Sequence, residues 1–327
     1  MHQANNNSEL DAMFKPLNPS EFGRYAKDLQ RPECVLITPD GAIYTSDHRG
    51  GVMCISAQGE QSLLGRSSLI PNGIALQPDG SFLVANLGTD GGVWHLDPTG
   101  QIKPWCLEFE NQTLPRVNYV TTDDQGRHWM CISATKTDDH YPVDEATGFI
   151  LLQDEKGIRC VANQLRYTNE LRFSQDGKWL YVNETFGRCL TRFALKSDGS
   201  LSQRQTIATF EAGDFPDGLA MDAWGGIWVV CVGSNRVYRV TPEGQRQTII
   251  DDSEPDCVQR LEQAFQSREL TRPMMAQARG KCLKNITSLA FGGPDLRTAY
   301  MGSLDSTELI TFRSPVAGAR PSHWNWS

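Results

Sequence analysis

Short apolar stretches with a two-residue alternation recur along the chain. Each is broken by a polar turn carrying a glycine. The clearest turns read Pro39-Asp40-Gly41, Pro78-Asp79-Gly80, Asp124-Gln125-Gly126 and Gln175-Asp176-Gly177, with weaker copies at Asp222-Ala223-Trp224-Gly225 and Gly293-Pro294-Asp295. An apolar run precedes each turn and another follows: 34–38 and 43–46, 74–76 and 82–86, 117–121 and 129–132, 171–173 and 180–182, 219–221 and 227–232, 289–291 and 299–301. Alternation of this kind predicts half-buried strands, and glycine supplies the positive φ of a tight reversal. A third alternating run completes each unit, at 51–56, 92–96, 149–153, 189–193, 236–240 and 308–312. Copies lie roughly 40–50 residues apart, and the last interval is about 70, a period that predicts an all-β, six-bladed β-propeller.

Two stretches break the period. Residues 134–147, with Lys136, Asp138, Asp139, His140 and Asp144, read as a polar loop in the third unit. Residues 252–284 read as a helical insertion between the fifth and sixth blades, with Val258, Leu261, Ala264 and Phe265 on one face. It is either a surface helix on the rim or a lid over the channel mouth. Residues 1–30 are expected to be an N-terminal extension outside the barrel, and 31–327 a single propeller domain.

An oxygen-bearing side chain sits about five to eight residues before each turn: Glu33, Asn72, Asn118, Asn169, Asp217 and Thr287. Arranged around an axis, these side chains converge. Two carboxylates and two amides suit a hard divalent cation, Ca²⁺ best, with Mg²⁺ or Mn²⁺ as alternatives. Zinc fits poorly, because no histidine or cysteine falls at the repeating position. No Gly-x-Ser-x-Gly elbow and no P-loop occurs.

The formal net charge of −8 argues against a nucleic-acid partner and against an anionic membrane surface. No apolar run is long enough to predict a membrane span. The polar first ten residues do not resemble a cleaved signal. Nine scattered cysteines with no Cys-x-x-Cys pair read as reduced thiols in a cytoplasmic protein. No heptad appears, so a monomer or weak homo-oligomer is expected.

Several stretches carry a family resemblance: Pro71-Asn72-Gly73-Ile74-Ala75, Arg116-Val117-Asn118, Asn169 through Tyr181-Val182, Pro216-Asp217-Gly218-Leu219-Ala220-Met221-Asp222, and Ser288-Leu289-Ala290-Phe291-Gly292-Gly293-Pro294-Asp295 onward to Tyr300. The chain resembles the SMP-30/gluconolactonase/LRE-like family of calcium-binding six-bladed propellers, from about Glu33 to Phe312. The resemblance implies that Glu33, Asn169 and Asp217 are metal ligands, and Asn118 a fourth, direct or through water. It implies that Arg116 orients substrate, with Asn72 also facing the channel, and that Asp217 activates water. The family commonly has Glu-Gly-Pro where this chain has Glu33-Cys34-Val35. It has Asn-Asp or Asn-Gly where this chain has Asn118-Tyr119 and Asn169-Glu170, so the pocket shape departs from the family's. Strand alternation would turn Glu170 away from the face of Asn169. The implied activity is metal-dependent opening of a small lactone, with Asn118 and His140 among the substrate-binding residues. The alternatives are an organophosphate triesterase of similar architecture, a non-catalytic calcium-binding propeller, and a metal-free lyase or synthase of the strictosidine-synthase type, against which the complete ligand set argues.

Overall fold

The computed structural model describes residues 13–135 and 139–326. Lys136 and Asp138 of the polar loop and the first ten residues lie outside them. Six four-stranded antiparallel sheets form the described structure, with a small hairpin of Glu108–Phe109 and Gln112–Thr113 beside them. In the first five sheets, strands follow one another in chain order from the axis outward. The innermost strands are Val35–Ile37, Pro71–Leu76, Val117–Thr122, Thr168–Phe173, Phe215–Met221 and Ile286–Gly292. They are buried on both faces, because each is wedged against its neighbours around the axis. Aromatic pairs join adjacent blades, with ring centroids 5.2 Å apart for Tyr44–Phe82, 5.4 Å for Trp129–Phe173 and 5.2 Å for Trp228–Phe291.

Each blade has a fourth, outer strand that the hydrophobic pattern did not mark. Stretches such as Gln61–Leu64 and Arg246–Asp251 are half-exposed and carry few apolar residues, so their alternation is weak. In the sixth blade this strand comes from the other end of the chain. Gly23–Tyr25 pairs antiparallel with Leu309–Arg313, Gly23 opposite Thr311 and Tyr25 opposite Leu309. The N-terminal segment is engaged earlier still. Phe14 is buried against Trp224 and Trp228, the guanidinium of Arg239 lies 4.4 Å over its ring, and Leu17 N donates to Ile249 O. The expectation of an extension outside the barrel is therefore corrected from Phe14 to Tyr25; its first twelve residues lie outside the described ones. This strand closes the circle and covers an edge that would otherwise expose unpaired backbone.

The insertion contains helix α1 (Pro255–Gln266) and a short helix α2 (Arg272–Ala276). Leu261, Ala264 and Cys257 of α1 face inward with Leu270 and Met275, packing on Phe186, Phe215 and Tyr167 at one end of the channel. Among the described residues no helix is long and apolar enough to cross a membrane. All nine cysteines are free thiols.

Two buried aspartates at blade turns repeat one device. Asp222 accepts from the backbone N–H of Trp224 and Gly226, from Trp228 Nε1 at 2.9 Å and from Arg239 Nε at 2.6 Å. Asp123 holds Gln125, Arg127 and Trp129 the same way. Replacing Asp222 by alanine strands a buried guanidinium and an indole N–H. Unfolding by denaturant is expected to show a loss of about 3–5 kcal/mol; a loss below about 1 kcal/mol would mean the network contributes little.

Candidate functional site

The backbone prepares the site before any side chain is considered. At the start of the inner strand of blades two to six the register slips, and residues crowd opposite fewer partners. The slips fall at Asn72-Gly73, Asn118, Asn169-Glu170, Asp217-Gly218 and Thr287-Ser288. A β-bulge bends the strand and re-aims a side chain, so each repeat turns one polar group toward the axis. Two bulges use glycine at the second position for space: a Cβ on Gly73 would come 2.7 Å from the Cα of Tyr119, and one on Gly218 2.4 Å from Thr287 O.

Hydrogen bonds tie each blade's mouth to the next. Thr287 Oγ1 and Ser288 Oγ donate to Glu33 O. Arg31 donates to Pro71 O and, at 2.9 Å, to Asn72 Oδ1. Asn72 Nδ2 donates to Asn118 O and, at 3.2 Å, to Asn118 Oδ1. Ser133 Oγ donates to Thr168 O, Asn183 Nδ2 to Asp217 O, Thr185 Oγ1 to Pro216 O, and Gly233 N to Asn285 Oδ1. The ring runs through all six blades and fixes the mouth.

Within this ring Glu33, Asn72, Asn118, Asn169 and Asp217 are all buried. Burial lifts the Asp217 carboxyl well above the usual carboxylate range, and repulsion from Glu33 and Glu170 adds to it; the Asn169 amide opposes the shift by a hydrogen bond. Burial likewise pushes Glu33 up to about 8, with the Arg31 guanidinium and the Asn72 amide opposing and Glu170 adding to the rise. The repulsion of Asp217 by Glu33 puts the two carboxyls in one neighbourhood. Glu33 Oε2 and Asn169 Oδ1 are buried without a hydrogen-bond partner. Orphaned buried acceptors of this kind carry a desolvation cost that a cation would relieve. Among the described residues no three His, Cys, Asp or Glu side chains gather at metal-binding spacing, so a centre here depends on its amide oxygens. The all-oxygen set fits a hard divalent cation.

Glu170 lies in the bulge beside Asn169 and is buried. Its Oε2 accepts from Leu219 N at 3.1 Å and pairs with Arg172 at 2.9 Å, while Arg172 donates to the hydroxyl of Tyr119. Burial raises its carboxyl and the Arg172 charge opposes that rise. Tyr119 and Glu170, bulky where the family is small, thus fill the channel below the ring.

Arg31, Tyr141, Tyr167, Arg172 and Arg272 were not marked by the repeat, because none occupies its recurring polar position. Arg116 precedes Val117 at the mouth, in electrostatic reach of Arg272, Tyr167, Asp139 and Tyr141. Tyr141 in turn senses Asp217 and Arg31. His140 is exposed, and its backbone pairs with Thr271 of the insertion. Thr287 serves the backbone ring through its hydroxyl.

The raised carboxyls set an expectation for pH. Without a cation Glu33 holds its proton in the fold up to about 8, while the unfolded chain gives it up near 4.5. The unfolded chain then binds fewer protons, so the cation-free protein should lose stability as pH rises between about 5 and 8. A cation binds the ionised form, so the Ca²⁺-induced rise in melting temperature should grow across the same window. Melts at stepped pH, with EDTA and with Ca²⁺, test this; an increment independent of pH would separate Glu33 from the cation.

A family model described as SMP-30/Gluconolactonase/LRE-like region matches residues 82–258. The 6-deoxy-6-sulfogluconolactonase of Pseudomonas putida is 30% identical over 70% of this chain and 67% of its own length. The regucalcin of Danio rerio is 30% identical over 64% of this chain and 62% of its own. In structure, a calcium-binding regucalcin from Agrobacterium tumefaciens superimposes with a TM-score of 0.68 at 18% identity, covering 91% of this chain and 96% of that one. That likeness concerns the six-bladed fold. With the inner strands of blades three to five inside the matched stretch, the chain belongs to the SMP-30/gluconolactonase/LRE-like family.

Proposed function

We propose that this protein is a metal-dependent hydrolase that opens the ring of a small lactone, a carboxylic-ester hydrolase. The observation that carries the reading is the pair of buried carboxyls, Glu33 and Asp217, flanked by amide oxygens, with Glu33 Oε2 and Asn169 Oδ1 left unsatisfied. The P. putida relative acts, by its name, on a gluconolactone, and this chain shares its family.

Glu33, Asn169 and Asp217 would hold the ion, with Asn118 as a fourth donor, direct or through water; Ca²⁺ suits the set best, Mg²⁺ or Mn²⁺ less well. Once bound, the ion supplies Lewis-acid polarisation of the ester carbonyl. The rest is done by the chain. Asp217, kept ionised in that state, accepts the proton of the attacking water as the new C–O bond forms. The ring C–O bond then breaks, and the proton passes to the departing alkoxide, leaving a hydroxy acid. Arg116 and Arg31 offer guanidinium donors to substrate oxygens at the mouth. Asn72, hydrogen-bonded to both Arg31 and Asn118, fixes their relative positions. His140, exposed on the third-blade loop, would meet substrate only from the outside. The helical insertion and the third-blade loop narrow access from this side.

Asp217→Asn is expected to lower kcat on an aldonolactone by at least about 100-fold, and EDTA to abolish turnover until Ca²⁺ is restored. Assays of the aldonolactone beside a paraoxon-like phosphotriester separate the two ester chemistries. Turnover of the triester alone would replace lactonase by phosphotriesterase. Tight Ca²⁺ binding with neither activity would leave a binding propeller.

A further inference from the structure

An amide side chain offers oxygen to a cation only when it is turned the right way round. Half a turn about its last bond exchanges Oδ1 for Nδ2, and the NH₂ end is a donor that binds no cation. Asn169 therefore depends on whatever fixes its direction. Its Nδ2 donates to Thr185 Oγ1 at 3.1 Å, and Thr185 Oγ1 donates to Pro216 O at 2.8 Å. A backbone carbonyl only accepts, and a hydroxyl has one proton. The proton of Thr185 is thus committed to blade five, so toward Asn169 its oxygen acts as an acceptor. The nitrogen end of the amide is held at Thr185. Oδ1 is the end left over, buried and without a hydrogen-bond partner.

Thr185 is itself placed by its backbone. It directly follows the second strand of blade four, Trp179–Glu184. Its N–H donates to Tyr167 O at 3.0 Å, and its carbonyl accepts from Arg188 N at 3.3 Å. The next residue, Phe186, is buried against Tyr167 and Phe215, and Thr185 is buried too. A β-branched side chain held in this way has few rotamers open to it. Ser133 follows the second strand of blade three in the same manner, and its Oγ donates to Thr168 O of the next blade. Thr185 adds to such an interblade bond a second one, to the candidate ligand of its own blade. Asp217 also meets the Asn169 amide. A carboxyl donates or accepts according to its proton, however, so it does not set the direction by itself.

We propose that Thr185 is a positioning residue of the cation centre: its hydroxyl, with its proton on Pro216 O, locks the Asn169 amide so that Oδ1 is free for a divalent cation. The inference rests on the reading of Glu33, Asn169 and Asp217 as ion ligands and deepens it. Thr185 itself touches neither ion nor substrate. Without its hydroxyl the amide would be free to turn its NH₂ toward the buried carboxyls, and it would have to turn back before an ion entered. The affinity then falls by the fraction of molecules whose amide already faces the right way.

The test measures Ca²⁺ binding by titration calorimetry on the full chain, with no lactone present. Thr185→Ser keeps the hydroxyl and should stay within about threefold of the wild-type Kd, while Thr185→Val, of nearly equal size, should raise Kd by about tenfold or more. Thr185→Ala repeats the loss with a smaller side chain, so that a misfit of valine does not decide the result, and melts in EDTA verify that each variant folds. Loss of the hydroxyl also frees Pro216 O, next to Asp217, and a merely structural role would act there. Asn169→Asp separates the two routes, because a carboxylate presents oxygen whichever way it turns. In that background Thr185→Val should change Kd by less than about twofold. An unchanged Kd in Thr185→Val and Thr185→Ala, or the same penalty in both backgrounds, would overturn the assignment and leave the cation centre standing. A wild-type protein that binds none of Ca²⁺, Mg²⁺ and Mn²⁺ would end the cation reading, and this assignment with it.

Discussion

Three carboxyl groups buried around one axis are the constraint that the rest of this structure accommodates. Glu170 raises the cost of ionising Glu33 and Asp217, and Glu33 that of ionising Asp217. In a low-dielectric setting such a cluster is tolerated only with countercharge or retained protons. The chain supplies part of the countercharge. Arg172 pairs with Glu170, and Arg31, two residues before Glu33 and bonded to the adjoining blade, acts on Glu33. Asp217 receives an amide hydrogen bond from Asn169 and little else of opposite sign. The electrostatics therefore divide the channel into two levels. The deeper one is neutralised from within by an arginine–glutamate–tyrosine network; the upper one keeps an excess of negative oxygen, facing the mouth.

The geometry of that upper level depends on backbone as much as on side chains. A regular strand would place alternate residues on opposite faces and spread the polar groups over both. Register slips in five blades concentrate them at one height. The interblade hydrogen bonds then hold that height, because almost every donor in the ring reaches a backbone carbonyl of the next blade. A change at one blade, such as loss of Asn183 or Thr185, would be felt first in the neighbouring blade, at the Asp217 bulge.

The radial plan was legible because it repeats. Turn chemistry and apolar alternation recur six times, and recurrence makes a polar residue at a fixed offset interpretable where a lone Asn72 or Glu33 would not be. What lay outside the repeat was hidden. The outer strands are half-exposed, so burial leaves no strong alternation in them. Gly23–Tyr25 pairs with a strand nearly three hundred residues away, and three residues carry no sign of a distant partner. Arg31, Tyr141 and Arg272 reach the site by loop and insertion paths that no period encodes.

The two ends of the channel follow different logics. At the far end the tail crosses the opening: Ala319 N donates to Met221 O, while His323 Nε2 and Trp324 Nε1 both meet Ile37 O. A cavity of about 800 Å³ remains there, lined by Leu171, Arg172, Phe173 and the tail, away from the unsatisfied oxygens. A cavity therefore does not by itself locate the chemistry; this one has the neutralised level of the channel at its back. At the near end the repeat is interrupted twice, and both interruptions converge on the carboxyl ring. The blades fix where the oxygens stand, while the third-blade loop and the insertion join each other, Tyr141 N donating to Leu270 O and Arg272 N to Asp139 O. The insertion packs on Phe186 and Phe215 and is also tied to the ring, since Asn285, whose Oδ1 accepts from Gly233 N, donates through Nδ2 to Met275 O at 2.7 Å.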